Sequence, residues 1–191
     1  MSVRDDGRRV VVIGGSWGGL KALGSLLGGL PAGFGLPLAV VLHRSSDGEE
    51  LLCELLARSS RLVVREAEDK AALAPGCVSV GPRGYHLLVE DGHVALSTEA
   101  PVRHSRPSID VLFESAARAY GPAAIGVVLT GSNADGAEGL RALRRRGAFA
   151  IVQDPDDAER SEMPAAALAA AGADAVVALD GVAPLLVELA G

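Results

Sequence analysis

The feature that most constrains the fold is a repeated alternation of short apolar runs with segments of helical periodicity. Residues 10–13, 36–42 and 125–129 have no alternating polar positions, which is typical of strands buried on both faces of a parallel sheet. Between such runs, Leu20, Leu23 and Leu27 recur at helical spacing. Strands that alternate with helices predict an α/β fold: a three-layer, doubly wound, mostly parallel sheet with helices on both faces.

The other segments extend this pattern, with one exception. Short strands are predicted at residues 61–65, 78–80, 149–152 and 175–179, and helices at 108–120, 136–146, after Pro164 and at the carboxyl end. The exception is residues 87–96, a predicted antiparallel hairpin in which Asp91 and Gly92 supply the positive φ angles of a tight turn. No linker, repeat or low-complexity tract interrupts the sequence, so we predict a single catalytic domain over residues 1–191.

One further helix is predicted between the second and third strands. Ser46 and Glu49 have the spacing of a capping box, which is a common start of a helix. The leucines that follow recur at helical spacing, and we expect all four to face the core. They are Leu51, Leu52, Leu55 and Leu56.

Charge and cysteine content exclude several functional classes. The net charge of −6 argues against a nucleic-acid partner, because such a protein needs a basic face. The basic cluster at residues 144–146 is expected to end a helix, where cations suit the helix dipole. Cys53 and Cys77 lack the spacing of a metal site or a disulfide framework. The sequence shows no signal peptide and no apolar run of membrane-spanning length, so we predict a cytoplasmic protein that is not embedded in a membrane.

Three polar residues follow the buried strands directly or after a short loop. Ser16 follows residues 10–13, His43 follows residues 36–42, and Asp135 follows the third run after a five-residue loop. Because the carboxyl ends of parallel strands meet at one edge of the sheet, we expect these side chains to lie close together. They are the residue types of a nucleophile, a general base that takes its proton, and a carboxylate that orients the base.

The segment around Ser16 adds a motif. Residues 14–18, Gly-Gly-Ser-Trp-Gly, fit the pattern G-x-S-x-G, in which glycines allow a serine to occupy a tight turn between a strand and a helix. The chain order Ser, His, Asp differs from the order Ser, Asp, His of α/β-hydrolases. The sequence is therefore not that of an ordinary α/β-hydrolase.

Each of these residues has an alternative, structural interpretation. Ser16 could cap a helix or its turn could bind a phosphate, His43 could be structural, and Asp135 could cap the following helix together with Glu138. The dinucleotide-binding fingerprint fails because Ser16 stands where its middle glycine is required, and the Gly-Lys pair of a P-loop is absent. Other histidines compete for the role of base, but none directly follows a buried parallel strand. They are His86, His93 and His104.

These motifs, in this order, resemble the catalytic domain of the chemotaxis protein-glutamate methylesterases (CheB-type) over about residues 9–189. The similar segments are residues 11–19, 40–43, 106–113 and 126–131, with Asp135-Gly136, Gln153-Asp154 and Met163-Pro164. The resemblance implies a catalytic triad of Ser16, His43 and Asp135, and oxyanion or substrate contacts at Trp17, Gly131 and Ser132. It also implies hydrolysis of glutamate methyl esters on the cytoplasmic helices of chemoreceptors, with deamidation of glutamines as a second activity. No metal or organic cofactor is required.

The sequence departs from the family pattern at three points. Trp17 occupies a position that is usually small, and the usual Leu-Thr-Gly-Met-Gly loop reads Leu-Thr-Gly-Ser-Asn at residues 129–133. No receiver domain fits before Ser16, so we expect a stand-alone catalytic domain whose regulator, if it has one, is a separate protein. Two other functions stay open: a receptor- or partner-binding module with weak catalysis, and a small-molecule carboxylesterase.

Overall fold

The computed structural model describes residues 8–43 and 51–191, and within them nine strands and six α-helices follow one another. In chain order they are β1 (Val10–Gly15), α1 (Gly19–Gly29), β2 (Leu38–Leu42), α2 (Leu52–Ser59), β3 (Val63–Glu66), β4 (Cys77–Val80), β5 (His86–Glu90), β6 (His93–Ser97), α3 (Ile109–Tyr120), β7 (Ala124–Val128), α4 (Ala137–Arg145), β8 (Phe149–Gln153), α5 (Glu162–Ala171), β9 (Ala175–Val177) and α6 (Leu179–Ala190). The capping-box pattern of Ser46 and Glu49 lies outside the described residues.

Seven of the strands form one sheet in the order β3-β4-β2-β1-β7-β8-β9. Every neighbouring pair in this sheet is parallel. The remaining two strands, β5 and β6, pair with each other in an antiparallel hairpin. The predicted α/β fold, with its mostly parallel sheet and local hairpin, is therefore confirmed.

Helices cover both faces of the sheet because successive strand side chains point to opposite sides. On β1, Val11 and Ile13 join a buried cluster with residues of α1, α2 and α6. Val10 and Val12 join a second cluster with residues of α3, α4, α5 and the hairpin. This alternation produces the three layers, and it explains why the strand runs have no polar positions.

Three local expectations were wrong. Leu52 and Leu56 are buried, but Leu51 and Leu55 are exposed, because a helix at the edge of a sheet presents only one face to the core. In the hairpin turn only Gly92 has a positive φ, of 79°. Helix α5 begins at Glu162, before Pro164, since a proline in the first turn removes an N–H that has no helical partner.

The order of the strands creates a crevice at the carboxyl end of β1. This strand lies between β2 and β7, and the helices that follow β1 and β7 pack on opposite faces of the sheet. Such a switch point is where open α/β sheets bind their ligands. Within the part of the chain that the structure describes, no helix is both long and apolar enough to cross a membrane.

Candidate active site

Ser16 occupies the turn between β1 and α1. Its N–H donates to the carbonyl of Thr130 at 3.0 Å, and its carbonyl accepts the Gly19 N–H at 2.8 Å. Gly18 has a φ of 76°, a left-handed conformation that favours glycine. A Cβ on Gly131 would lie 2.9 Å from the Ser16 Cβ, so the neighbouring loop also requires glycine. The half-buried Ser16 is thus held between the loops that follow β1 and β7.

His43 and Asp135 form a hydrogen-bonded pair beside this turn. His43 Nε2 lies 2.8 Å from Asp135 Oδ2, and the Asp135 side chain is 1% exposed. The His43 N–H donates to the carbonyl of Gly15 at 3.0 Å, which places its backbone next to the start of the Ser16 turn. Parallel pairing of β1 with β2 brings about this proximity.

The Asp135 carboxylate accepts three hydrogen bonds besides the one from His43. Oδ1 accepts the Ser108 hydroxyl and the Asp110 N–H, each at 2.9 Å, and Oδ2 accepts the Ile109 N–H at 2.7 Å. Burial alone would raise the pKa of Asp135, but the hydrogen bonds from His43, Asp110 and Ile109 outweigh it and hold the pKa below its ordinary value. The carboxylate therefore stays ionised at the amino end of α3.

Asp110, in the first turn of α3, binds the amino end of α4 in a similar way. Its Oδ1 accepts the N–H groups of Gly136 at 2.9 Å and Gly139 at 2.8 Å, and the Arg103 guanidinium lies 3.3 Å from Oδ2. Burial and the charge of Asp135 raise the pKa of Asp110, against the lowering effect of the two N–H groups and Arg103. Asp135 thus caps α3 while Asp110 caps α4. The alternative that Asp135 caps its own following helix is wrong.

The other histidines have different surroundings. His86 is buried, its Nε2 donates to the Ala100 carbonyl at 3.1 Å, and its Nδ1 accepts the Ser108 N–H at 3.2 Å, so it supports a residue that binds Asp135. His93 pairs with a glutamate on the hairpin. His104 lines a cleft of about 170 Å³ with His43. Among residues 8–43 and 51–191, no group of three or more His, Cys, Asp or Glu side chains could hold a metal ion.

The residues predicted for oxyanion or substrate contacts line the same crevice. No acceptor within the described residues receives the N–H of Trp17 or of Ser132, so both donors are available to a ligand. The Gly131 N–H is engaged, because it donates to the carbonyl of Arg160 at 3.2 Å. The contribution of Gly131 is therefore its close approach to Ser16 rather than a free donor.

Arg160 is a site residue that the sequence reasoning missed. Its guanidinium lies 5.6 Å from the centre of the Trp17 ring, which is itself 60% exposed. The Thr130 hydroxyl accepts the Arg160 N–H at 2.8 Å and lies 3.1 Å from the Trp17 carbonyl. Gln153 Oε1 accepts the Thr130 N–H at 2.9 Å. These contacts hold the loop before α5 against the serine turn, and no local sequence pattern signals them.

Asn133 is the second residue that was missed. Its Nδ2 lies 3.1 Å from His43 Nδ1, and its Oδ1 accepts the Asp135 N–H at 3.0 Å. The Ser16 hydroxyl makes no hydrogen bond to any residue in the described ranges, so the structure joins His43 to Asp135 but not to Ser16. The available signal was the departure of residues 132–133 from the family loop, two residues before Asp135.

Comparison of the sequence with known proteins gives three findings. The CheB methylesterase family model matches residues 11–186. A Leptospira interrogans protein is 43% identical over 182 residues, which cover 94% of this chain and 93% of that protein. That protein is named as a protein-glutamate methylesterase/protein-glutamine glutaminase. The protein-glutamate methylesterase FrzG of Myxococcus xanthus is 38% identical over 180 residues, and the match covers 94% of this chain but 54% of FrzG.

A solved structure is similar over almost its entire length. The catalytic domain of the Thermotoga maritima CheB methylesterase superposes with a TM-score of 0.90 and is 31% identical, with 95% of this chain and 98% of that chain covered.

Proposed function

Because the chain belongs to the CheB methylesterase family, we propose that it hydrolyses glutamate methyl esters on chemoreceptors, with Ser16, His43 and Asp135 as its catalytic triad. The observation that carries the proposal is the 2.8 Å hydrogen bond between His43 and the buried Asp135, directly beside the Ser16 turn. The same chemistry, with ammonia in place of methanol as the leaving group, would deamidate glutamines.

The reaction begins with the formation of a tetrahedral intermediate on Ser16. The Ser16 Oγ–H proton passes to His43 Nδ1, because Nε2 is bonded to Asp135. Oγ attacks the ester carbonyl carbon, and the electron pair of the C=O bond moves onto the oxygen. The ionised Asp135 orients the imidazole and stabilises its cation. The N–H groups of Trp17 and Ser132 donate to the oxyanion, where one donor typically contributes about 10²–10³-fold in rate.

Collapse of this intermediate forms the acyl-enzyme, and hydrolysis of the acyl-enzyme then frees Ser16. The C=O bond re-forms, the bond to the methoxy oxygen breaks, and His43 gives the proton to that oxygen, so that methanol leaves. Water then attacks the acyl-enzyme as its proton passes to His43, and the bond to Ser16 Oγ breaks with return of that proton. The product is a free glutamate side chain. General acid–base catalysis of this kind typically contributes about 10²–10⁴-fold.

The proposal extends to the setting in which the enzyme acts. We propose residues 1–191 as one catalytic domain, supported by a single sheet that continues from β3 to β9 and by the family match over residues 11–186. We propose the cytoplasmic helices of methyl-accepting receptors as its partners and, accordingly, the cytoplasm as the place where it acts.

One observation favours a second candidate function. The amide of Asn133, rather than the Ser16 hydroxyl, contacts His43 Nδ1, and Trp17 is exposed beside the serine. A module that keeps the fold and binds a receptor without efficient turnover would tolerate both features.

A serine-directed fluorophosphonate and two substrates separate the candidates. We expect the probe to label wild type and Ser25→Ala, which changes an exposed serine of α1, but not Ser16→Ala. We expect a methylated receptor fragment to be hydrolysed in preference to a small acyl ester. Absence of labelling favours the binding module, and preference for the small ester favours a carboxylesterase.

A further inference from the structure

We propose that Asn133 is a positioning residue that holds His43 by Nδ1 in the resting site and must release it before Ser16 can transfer its proton. The inference rests on the proposed function in one respect only, the role of His43 as the base for Ser16. It concerns a residue that lies outside the triad and the oxyanion donors.

The orientation of the Asn133 amide follows from its two contacts. The Asp135 N–H is a donor, so the atom 3.0 Å from it must be the amide oxygen. The amide nitrogen therefore faces His43 Nδ1 at 3.1 Å. Because an amide NH₂ can only donate, Nδ1 must present its lone pair.

This contact defines the tautomer of His43. A neutral imidazole carries one N–H, and with Nδ1 accepting from Asn133 that N–H lies on Nε2, where it donates to the Asp135 carboxylate at 2.8 Å. This is the tautomer that general base catalysis by Nδ1 requires. Asn133 therefore prepares the histidine for its role while it occupies the nitrogen that performs it.

Ser16 and Asn133 compete for a single lone pair. The Ser16 hydroxyl has no hydrogen-bond partner among the described residues, and Nδ1 is already engaged. Once Nδ1 is protonated, its N–H would face the amide N–H groups, so the contact with Asn133 cannot persist through catalysis. Asn133 is exposed, which leaves its side chain room to rotate away.

The variant Asn133→Ser tests the competition. A serine hydroxyl at this position can still accept the Asp135 N–H in a local turn, but it is too short to reach His43. We expect the rate of fluorophosphonate labelling at Ser16 to increase about fivefold, which corresponds to ~1 kcal/mol, an ordinary net value for one hydrogen bond. An unchanged or lower rate would overturn the proposal.

Asn133→Ala is the matched comparison, because it removes both contacts. We expect it to label as fast as Asn133→Ser if release of His43 is the cause. A gain in Asn133→Ala with none in Asn133→Ser would assign the effect to the loop and contradict the proposal.

A spectroscopic test uses the wild-type protein and needs no variant. The sequence contains one asparagine, Asn133, and one glutamine, Gln153, so its side-chain NH₂ signals form two pairs. Gln153 Nε2 donates to Asp157 at 2.9 Å and makes no contact with His43, so its pair can be assigned separately from that of Asn133. On phosphonylation of Ser16 we expect the Asn133 pair to shift, because the amide loses its contact with His43 Nδ1. An unshifted Asn133 pair contradicts the proposal.

These readouts separate the two levels of inference. Labelling and NMR report on Ser16, His43 and Asn133 without a receptor. If methylated receptor is not hydrolysed but Asn133→Ser still labels about fivefold faster, the proposed substrate fails and the role of Asn133 stands. If receptor is hydrolysed and the variant labels no faster, the role of Asn133 fails alone.

Discussion

The substitution Asp135→Asn perturbs the site with almost no change in volume. Each oxygen of the carboxylate accepts two hydrogen bonds: Oδ1 from Ser108 and Asp110, and Oδ2 from Ile109 and His43. An asparagine places an NH₂ group at one of these positions. If the NH₂ replaces Oδ1, the Ser108 hydroxyl can turn to accept from it, but the Asp110 N–H then faces a donor. If the NH₂ replaces Oδ2, the His43 ring can accept from it, but the Ile109 N–H then faces a donor.

The magnitude follows from these contacts. A buried donor that loses its acceptor costs about 1–3 kcal/mol, and loss of a negative charge from a partly buried helix amino terminus costs up to ~2 kcal/mol. We therefore expect Asp135→Asn to lower the free energy of unfolding by about 3 kcal/mol. In the orientation in which the new amide donates to His43 Nε2, the ring proton moves to Nδ1, and Nδ1 can no longer accept the proton of Ser16. We expect turnover to fall by the order of 10⁴-fold, as for other triads with a wrong tautomer.

Urea unfolding at several pH values measures the predicted loss of stability in Asp135→Asn. The pKa of Asp135 is lowered in the folded protein, so the stability that it contributes is present above about pH 4, near the ordinary pKa of an aspartate, and is lost as the pH falls through the folded pKa. The difference between wild type and Asp135→Asn should therefore be largest near neutral pH and should narrow below about pH 4.

Asp156→Asn, at an exposed aspartate, is the matched control and should leave stability within about 0.5 kcal/mol of wild type. A difference of less than ~1 kcal/mol for Asp135→Asn at neutral pH, or one that grows on acidification, would refute the reasoning about charge and donors.

Two other predictions test the surroundings of the site. Asp110→Ala removes the acceptor of the Gly136 and Gly139 N–H groups, and we expect a loss of about 2 kcal/mol in urea unfolding; an unchanged midpoint would argue against capping of α4 by Asp110. Trp17→Thr removes the exposed ring under Arg160, so we expect stability to change by less than ~1 kcal/mol, the KM for methylated receptor to rise, and labelling by a small fluorophosphonate to keep its rate. Slower labelling would mean that the ring shapes the turn that holds Ser16 rather than contacting the receptor.

The sequence predicts the parts of the site that depend on local pattern. The runs at residues 10–13, 36–42 and 125–129 are apolar throughout because both faces of the central strands are covered. Strand ends in a parallel sheet share one edge, and this places Ser16, His43 and Asp135 in one region before any coordinates are known.

Contacts between distant segments were not predictable in this way. Asp135 has the sequence signature of a cap for α4, but it binds the amino end of α3, which lies about 27 residues earlier in the chain. The choice depends on how α3 and α4 pack, and neither helix encodes that packing locally. The stacking of Arg160 on Trp17 and the contact of Asn133 with His43 likewise depend on loops that meet only in the folded sheet.

Release of methanol from a methylated chemoreceptor fragment tests the central claim most directly. Wild type and Ser25→Ala should release methanol at equal rates, and Ser16→Ala, folded to the same degree by circular dichroism, should release none above the uncatalysed background. Equal release by Ser16→Ala would contradict the assignment of Ser16 as the nucleophile, and absence of release by wild type would contradict the proposed function itself.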